Sequence, residues 1–228
     1  MNRRLLITGA GGFLGSRICE YYSNRDGYEA VGVTHRELDI EDFVAVSAFI
    51  KAIRPDYVLH CAAISNTGTC ERNPVLSEKV NVRGTINLAK ACRNAGSRMI
   101  FTSSDQIYNT SHSMEPNREG SEGKPGNVYG RDKKRAEEAM LTYLPDAVAL
   151  RLTWMYDAPS RGRAAGQGLL QKLADALKER REVEFPVHDY RGITYVWEVV
   201  RHLEEAMGLP GGVYNFGSEN RYNTFDTA

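Results

Sequence analysis

RLLITGAGGFLGSRICEYYS, residues 4–23, decides the fold. Its apolar opening, 4–8, has strand length, and 13–23 repeats apolar residues at helical spacing. Between them Gly9, Gly12 and Gly15 let the chain turn tightly, bring backbone close to a ligand and let the helix lie against the sheet. The start of such a helix points N–H groups and partial positive charge into the turn, so a pyrophosphate fits there. A strand before and a helix after are the context this glycine pattern requires. The basic start, MNRR, imitates a leader peptide, but the apolar run LLIT is too short for one and enters glycines at once.

The alternation continues. Strands are expected at 29–34, 57–63, 99–103 and 147–152, and helices at 42–53, 75–95 and 128–141. Asn73-Pro74 reads as a helix start and Gly96 as that helix's stop, while 109–127, polar with Gly and Pro, reads as a loop. Strand and helix in turn imply an α/β fold, a Rossmann-type doubly wound parallel sheet, with a dinucleotide-binding domain over 1–156. Residues 157–168 read as a flexible connection into a small C-terminal lobe, 157–228. That lobe is expected to hold a helix at 169–180, a short strand at 183–185, a helix at 195–207 and a strand at 213–217.

Lys plus Arg, 29, equals Asp plus Glu, 29, so charge argues for neither a nucleic-acid nor a membrane partner. No apolar run approaches a membrane span. Cys19, Cys61, Cys70 and Cys92 fall in no metal or disulfide spacing, which points to reduced thiols in a cytoplasmic protein. His60 beside Cys61 reads as a strand residue, and no metal is expected.

The second strand ends at His35 and Arg36. A guanidinium suits the 2′-phosphate of NADP(H), which is favoured here, with NAD(H) the other option; Glu37 is the residue that would serve a ribose diol. Arg36 as a plain surface charge is the competing reading.

The stretch FTSSDQIYN, 101–109, ends an apolar strand in hydroxyls, an acid and an amide, and Tyr129 and Lys133 stand four apart at the opening of the next helix. A carbonyl that accepts hydride becomes an alkoxide and needs a proton. A phenol can give one, a nearby ammonium stabilises the phenolate, and a fixed hydroxyl holds the carbonyl oxygen. Tyr129 is therefore expected as general acid/base, Lys133 as its electrostatic partner and Ser104 as the carbonyl orienter. The competing reading is a helix-surface Tyr–Lys pair.

Thr8-Gly9-x-x-Gly12-x-x-Gly15 resembles the T-G-x-x-G-x-x-G loop of the extended short-chain dehydrogenase/reductase superfamily. HCAAIS (60–65) and NVRGTINLAKAC (81–92) look like further segments of that branch, and Asn81 would help order its site. The resemblance implies dinucleotide contacts from Gly9, Gly12, Phe13, Leu14 and Gly15, from Asp39 and Ile40 at the adenine, and from Cys61, Ala62 and Ala63 beneath the cofactor. It also places Lys133 on the nicotinamide ribose. Within the branch, LRLTWMYD (150–157) and RGITYVWEVV (191–200) resemble dTDP-4-dehydrorhamnose reductases, which puts Trp154 beside a nucleotide-sugar substrate; capping the core is its alternative role. Helices 75–95 and 128–142 would form a homodimer bundle by family analogy.

The serine segment, Ser103-Ser104-Asp105-Gln106-Ile107-Tyr108, departs from its relatives. Sugar-nucleotide dehydratases write T-D-E-V-Y, dehydrorhamnose reductases S-T-D-Y-V-F and simple epimerases S-S-x-x-V-Y. Gln cannot take up a proton at neutral pH, which disfavours Glu-dependent dehydration. Asp105 and Gln106 are expected to face substrate, Gln106 through a sugar hydroxyl. The segment VYNFGSENRYNTFDTA stops where the family's pattern enters another helix, so part of the substrate lobe is expected to be missing or small. Three functions follow: an NADP(H)-dependent reductase of a 4-keto nucleotide sugar, a non-catalytic regulatory subunit like that of methionine adenosyltransferase, or an epimerase holding NAD tightly.

Overall fold

A computed structural model describes residues 2–111, 115–158 and 169–228. β1 (Arg3–Thr8) carries Leu5, Leu6 and Ile7 at 0% exposure. Successive strand residues point to opposite faces, so a strand buried throughout needs cover on both sides. On one face Leu5 and Ile7 share a core with Ile18 and Tyr22 of α1 (Phe13–Ser23) and with Val200 and Leu203 of α8 (Val196–Gly208). On the other, Leu6 shares a core with α2 (Phe43–Ile53), α5 (Thr85–Ala95) and α6 (Val128–Tyr143), through Val46, Ile50, Leu88 and Met140.

Six strands run parallel in the order β2 (Tyr28–Val33), β1, β3 (Tyr57–His60), β4 (Arg98–Ser104), β5 (Val148–Leu152) and β8 (Gly212–Phe216). Winding reverses direction at β1, between β2 and β3, and the crevice beyond the C-terminal ends of such strands is where open parallel sheets take ligands. Beside this edge β6 (Trp154–Tyr156) and β7 (Ile193–Tyr195) form a small parallel sheet of their own. α7 (Leu169–Glu179) and α9 (Thr224–Thr227) complete the C-terminal part.

Several elements differ from expectation. The third strand stops at His60 rather than 63. The helix expected over 75–95 is α4 (Pro74–Glu78), a wider π-type segment Lys79–Gly84, and α5. Thr85 Oγ1 donates to the Asn81 carbonyl at 2.7 Å, a side-chain bond that competes with the backbone ladder and widens the turn. A short helix, α3 (Thr67–Arg72), was not expected; the Asn66 side chain caps it by accepting from Thr69 N at 2.8 Å. No strand occupies 183–185: these residues pair with no neighbouring strand. The pairing strand is β7, which takes the residues just before α8. Of the connection expected over 157–168, residues 159–168 lie outside the described ones. Among the described residues no helix is long and apolar enough to cross a membrane, and all four cysteines are free thiols.

Candidate active site

The glycine loop is built by close approach. Gly9 has φ +71°, and a Cβ there would lie 2.7 Å from Ala62 N. A Cβ on Gly15 would collide with the Gly9 carbonyl, so both positions demand glycine. Gly12 caps α1 with no side chain, and no acid occupies its first turn. Phe13, half-buried, and buried Leu14 thus open an 11-residue helix whose positive end is left uncompensated, a fit for an anionic pyrophosphate. Cys61, Ala62 and Ala63 pass directly beneath, Ala62 N donating to Thr8 Oγ1 at 3.3 Å. Burial pushes the Cys61 thiol up to about 12, so it is inert as a nucleophile.

At the tip of β2, Arg36 is exposed and has no partner among the described residues. Glu37 folds back on its own turn: its carboxylate accepts from Thr34 N and Thr34 Oγ1, each at 2.7 Å, which holds it below the usual range. Glu37 is therefore committed to the turn rather than presented to a ribose. Asp39 is exposed and accepts from Glu41 N at 2.9 Å, while Ile40 is buried against Gly84. His60 is buried between Thr8 Oγ1 (2.8 Å) and Thr85 Oγ1 (3.0 Å), and burial lowers it to about 3, so it stays neutral. Among the described residues no cluster could hold a metal ion.

Ser104, Tyr129 and Lys133 come together at the end of β4. The Tyr129 phenol lies near enough to Ser104 for that side chain to favour the phenolate, and both residues are 8% exposed. Lys133, one turn further along α6, is 2% exposed and donates to the Thr102 carbonyl at 2.8 Å; its Nζ lies 5.7 Å from the Tyr129 ring centre. Burial pushes Lys133 down to about 8, with nearby Cys61 and Glu137 opposing. The expectation that an ammonium would lower the phenol is overturned: burial raises Tyr129 well above its usual value, with the Ser104 side chain opposing. The phenol keeps its proton, as a donor to an alkoxide must.

A lysine depressed in the folded state binds its proton more weakly than in the unfolded chain. Between about pH 8 and the ordinary lysine value, the unfolded state holds more protons, so unfolding free energy rises with pH. Lys133→Met is expected to remove that rise, read as the wild-type-minus-variant difference in denaturant midpoint across this window.

Asp105 is held by a bidentate pair with Arg191, Nη2 to Oδ1 at 2.9 Å and Nε to Oδ2 at 3.2 Å, and accepts from Ser104 Oγ at 3.3 Å. The Arg191 guanidinium sits 5.2 Å from the Trp154 ring centre. Trp154 is half-buried beside this pair. Arg191 was missed by sequence reasoning, although it opens the RGITYVWEVV segment. Gln106 turns its side-chain carbonyl away from the crevice: Oε1 accepts from Asn127 Nδ2 at 2.7 Å and Asn109 Nδ2 at 3.4 Å. Asn81 clasps Ile64 through both its N–H (2.9 Å) and its carbonyl (3.1 Å), which fixes the segment after β3.

The chain matches a family model, the RmlD substrate binding domain, over residues 3–228. It is 34% identical over 185 residues to a dTDP-4-dehydrorhamnose reductase of Mycolicibacterium smegmatis, covering 78% of this chain and 56% of that protein. It is 31% identical to methionine adenosyltransferase 2 subunit beta of Xenopus laevis, covering 100% of this chain and 70% of that one. The crystal structure of a Bacillus anthracis dTDP-4-dehydrorhamnose reductase in complex with NADP superposes with a TM-score of 0.90 at 24% identity, covering 100% of this chain and 78% of that one. The chain thus spans little more than half the length of the mycobacterial reductase it matches, and the likeness to the crystal structure establishes the Rossmann-like fold. Its glycine loop, its sheet and the match over nearly every residue place the chain in the RmlD substrate binding domain family.

Proposed function

We propose that the chain is an NADP(H)-dependent reductase of a 4-keto nucleotide sugar. The observation that carries this is the buried grouping of Ser104, at the C-terminal end of β4, with Tyr129 and, one turn further along α6, Lys133. The nicotinamide supplies the hydride. Ser104 holds the substrate carbonyl oxygen, Tyr129 donates its proton to that oxygen as charge develops, and the Lys133 ammonium stabilises the phenolate left behind. Gly9, Gly12, Phe13, Leu14 and Gly15 hold the pyrophosphate; Asp39 and Ile40 flank the adenine; Cys61, Ala62 and Ala63 form the floor; Lys133 also holds the ribose. Asp105 and Trp154 face the sugar, with Arg191 between them. Residues 1–156 act as the dinucleotide-binding unit and 157–228 as the substrate side, whose α8 and β8 return to the main sheet.

Arg36 supports the choice of NADP(H). Arg36→Ala is expected to weaken NADPH binding by about tenfold while NADH binding changes far less, because a charged hydrogen bond to the 2′-phosphate is lost in one case only. Fluorescence titration of both dinucleotides checks this, and a panel of 4-keto nucleotide sugars tests the reaction. Equal affinities unaffected by Arg36→Ala would overturn the cofactor choice.

A second reading is a non-catalytic subunit that binds a partner enzyme, favoured by the likeness to methionine adenosyltransferase 2 subunit beta over 100% of this chain and 70% of that one. Stoichiometric co-purification with a partner, together with inertness across the sugar panel, is its signature.

A further inference from the structure

We infer that Gln106 and Asn127 form a side-chain latch that sets the catalytic helix against the serine turn, making both positioning residues for Tyr129. The inference rests on the reductase reading for its catalytic consequence. Ser104 lies at the end of β4 and Tyr129 in the first turn of α6, with a long loop between them. Three hydrogen bonds bridge the gap. Gln106 N donates to Ser104 Oγ at 3.2 Å, Asn127 Nδ2 donates to Gln106 Oε1 at 2.7 Å, and Gly130 N donates to Asn127 Oδ1 at 2.7 Å. This path from serine hydroxyl to tyrosine helix runs through two side chains, Gln106 and Asn127.

The residue types fit the task. Asn127 must accept with one end of its side chain, to cap α6, and donate with the other, to reach Gln106; an amide does both, whereas a carboxylate or a hydroxyl at this spacing does not. Gln106 must accept from Asn127. Gly130 lets the two segments close up, since a Cβ there would lie 2.5 Å from the Gln106 carbonyl oxygen. The loop ends are tied alongside: Gly126 N donates to Asn109 Oδ1 at 2.8 Å, and Asn109 Nδ2 also reaches Gln106 Oε1. This accounts for an amide at position 106. It grips the helix start and leaves Nε2 as the only polar end free to face the crevice.

The latch makes a distinctive prediction, because either partner can change to an acid without breaking it. Gln106→Glu still accepts from Asn127. Asn127→Asp still caps Gly130, and Gln106 can rotate its amide to donate to the new carboxylate. The double variant sets two carboxylates face to face with no donor between them. Hydrogen exchange of a peptide covering 128–133 and kcat on the active keto sugar are measured in all four proteins. Exchange in the double variant is expected to exceed the product of the single effects by about tenfold, with kcat falling in the same non-additive way and KM changing less. Additive effects on exchange would overturn the latch. Non-additive exchange with additive kcat would overturn its positioning role. Non-additive exchange in a protein inert on every sugar would uphold the latch and sink the reductase reading instead. Should the double variant fail to fold, Gln106→Met, which keeps the bulk and lacks the acceptor, replaces it. Faster exchange at 128–133 with an unaltered rate in β1 supports the latch, and an unchanged rate there overturns it.

Discussion

Tyr129→Phe is expected to lower kcat by about 10²–10⁴-fold, the range for removing a positioned general acid, with NADPH affinity nearly intact. The variant deletes one hydroxyl and leaves the ring, which is 8% exposed and packed on the Lys133 side of α6. Among the described residues no phenol stands in a hydrogen bond with Ser104 that could replace Tyr129 as donor. Burial holds the wild-type phenol protonated to high pH, so the proton-donating step should not weaken through neutral and mildly alkaline pH on account of Tyr129. An alkaline fall is expected instead near pH 8, where Lys133 loses its charge. Steady-state kinetics with NADPH on a 4-keto sugar, across pH 6–9, measure both. A variant retaining more than about a tenth of wild-type kcat would remove Tyr129 from the reaction.

Glu137→Ala is expected to cost about 3–5 kcal/mol of stability, the penalty for breaking a buried ion pair from one side. Glu137 is 2% exposed and grips Arg151 of β5 through three bonds, at 2.7 Å, 3.1 Å and 3.3 Å. Without it the Arg151 guanidinium, 7% exposed, keeps only the Tyr108 hydroxyl at 2.5 Å and the Glu119 carbonyl at 3.2 Å. At about 2–4 °C per kcal/mol for a chain of this size, the melting temperature should fall by about 10 °C. Replacing both partners with apolar residues of similar volume should restore most of the loss, since desolvation and attraction nearly cancel in such pairs. A drop of under about 1 kcal/mol on Glu137→Ala would show that water reaches the pair.

The glycine loop was legible because its demand falls on backbone: a positive φ at Gly9 and a collision at Gly15 leave a residue-type signature within eight positions. Pro74 at a helix start and Tyr129–Lys133 on one helix face were legible for the same reason, since their spacing is local. The Asp105–Arg191 pair was not, because its partners stand 86 residues apart and no period connects them. α3 was hidden by Thr and Gly, poor helix formers that an Asn66 cap and tertiary packing override. β6 and β7 were hidden because each is three residues long and acquires meaning only by pairing with the other. The direction of the Tyr129 shift could not be read at all, as burial is a property of the assembled sheet. The Gln106 carbonyl could not be assigned from sequence, because its partner Asn127 is supplied from 21 residues further along the chain.

One face of the sheet is closed by two helices from opposite ends of the described chain. α8 packs beside α1, and Arg25 bonds Glu204 across a separation of 179 residues. During synthesis, at about 5–20 residues per second, the greasy undersides of β1, β4 and β5 stay open on that face for seconds after α2, α5 and α6 have covered the other. Until Val196 to Met207 emerge, α1 alone covers that face, and Leu5, Ile7, Ile100 and Leu150 lack the α8 side chains that share their core. A ribosome stalled ahead of α8 therefore presents a half-clad sheet, the kind of nascent surface that chaperones grip and that neighbouring chains on a polysome stick to.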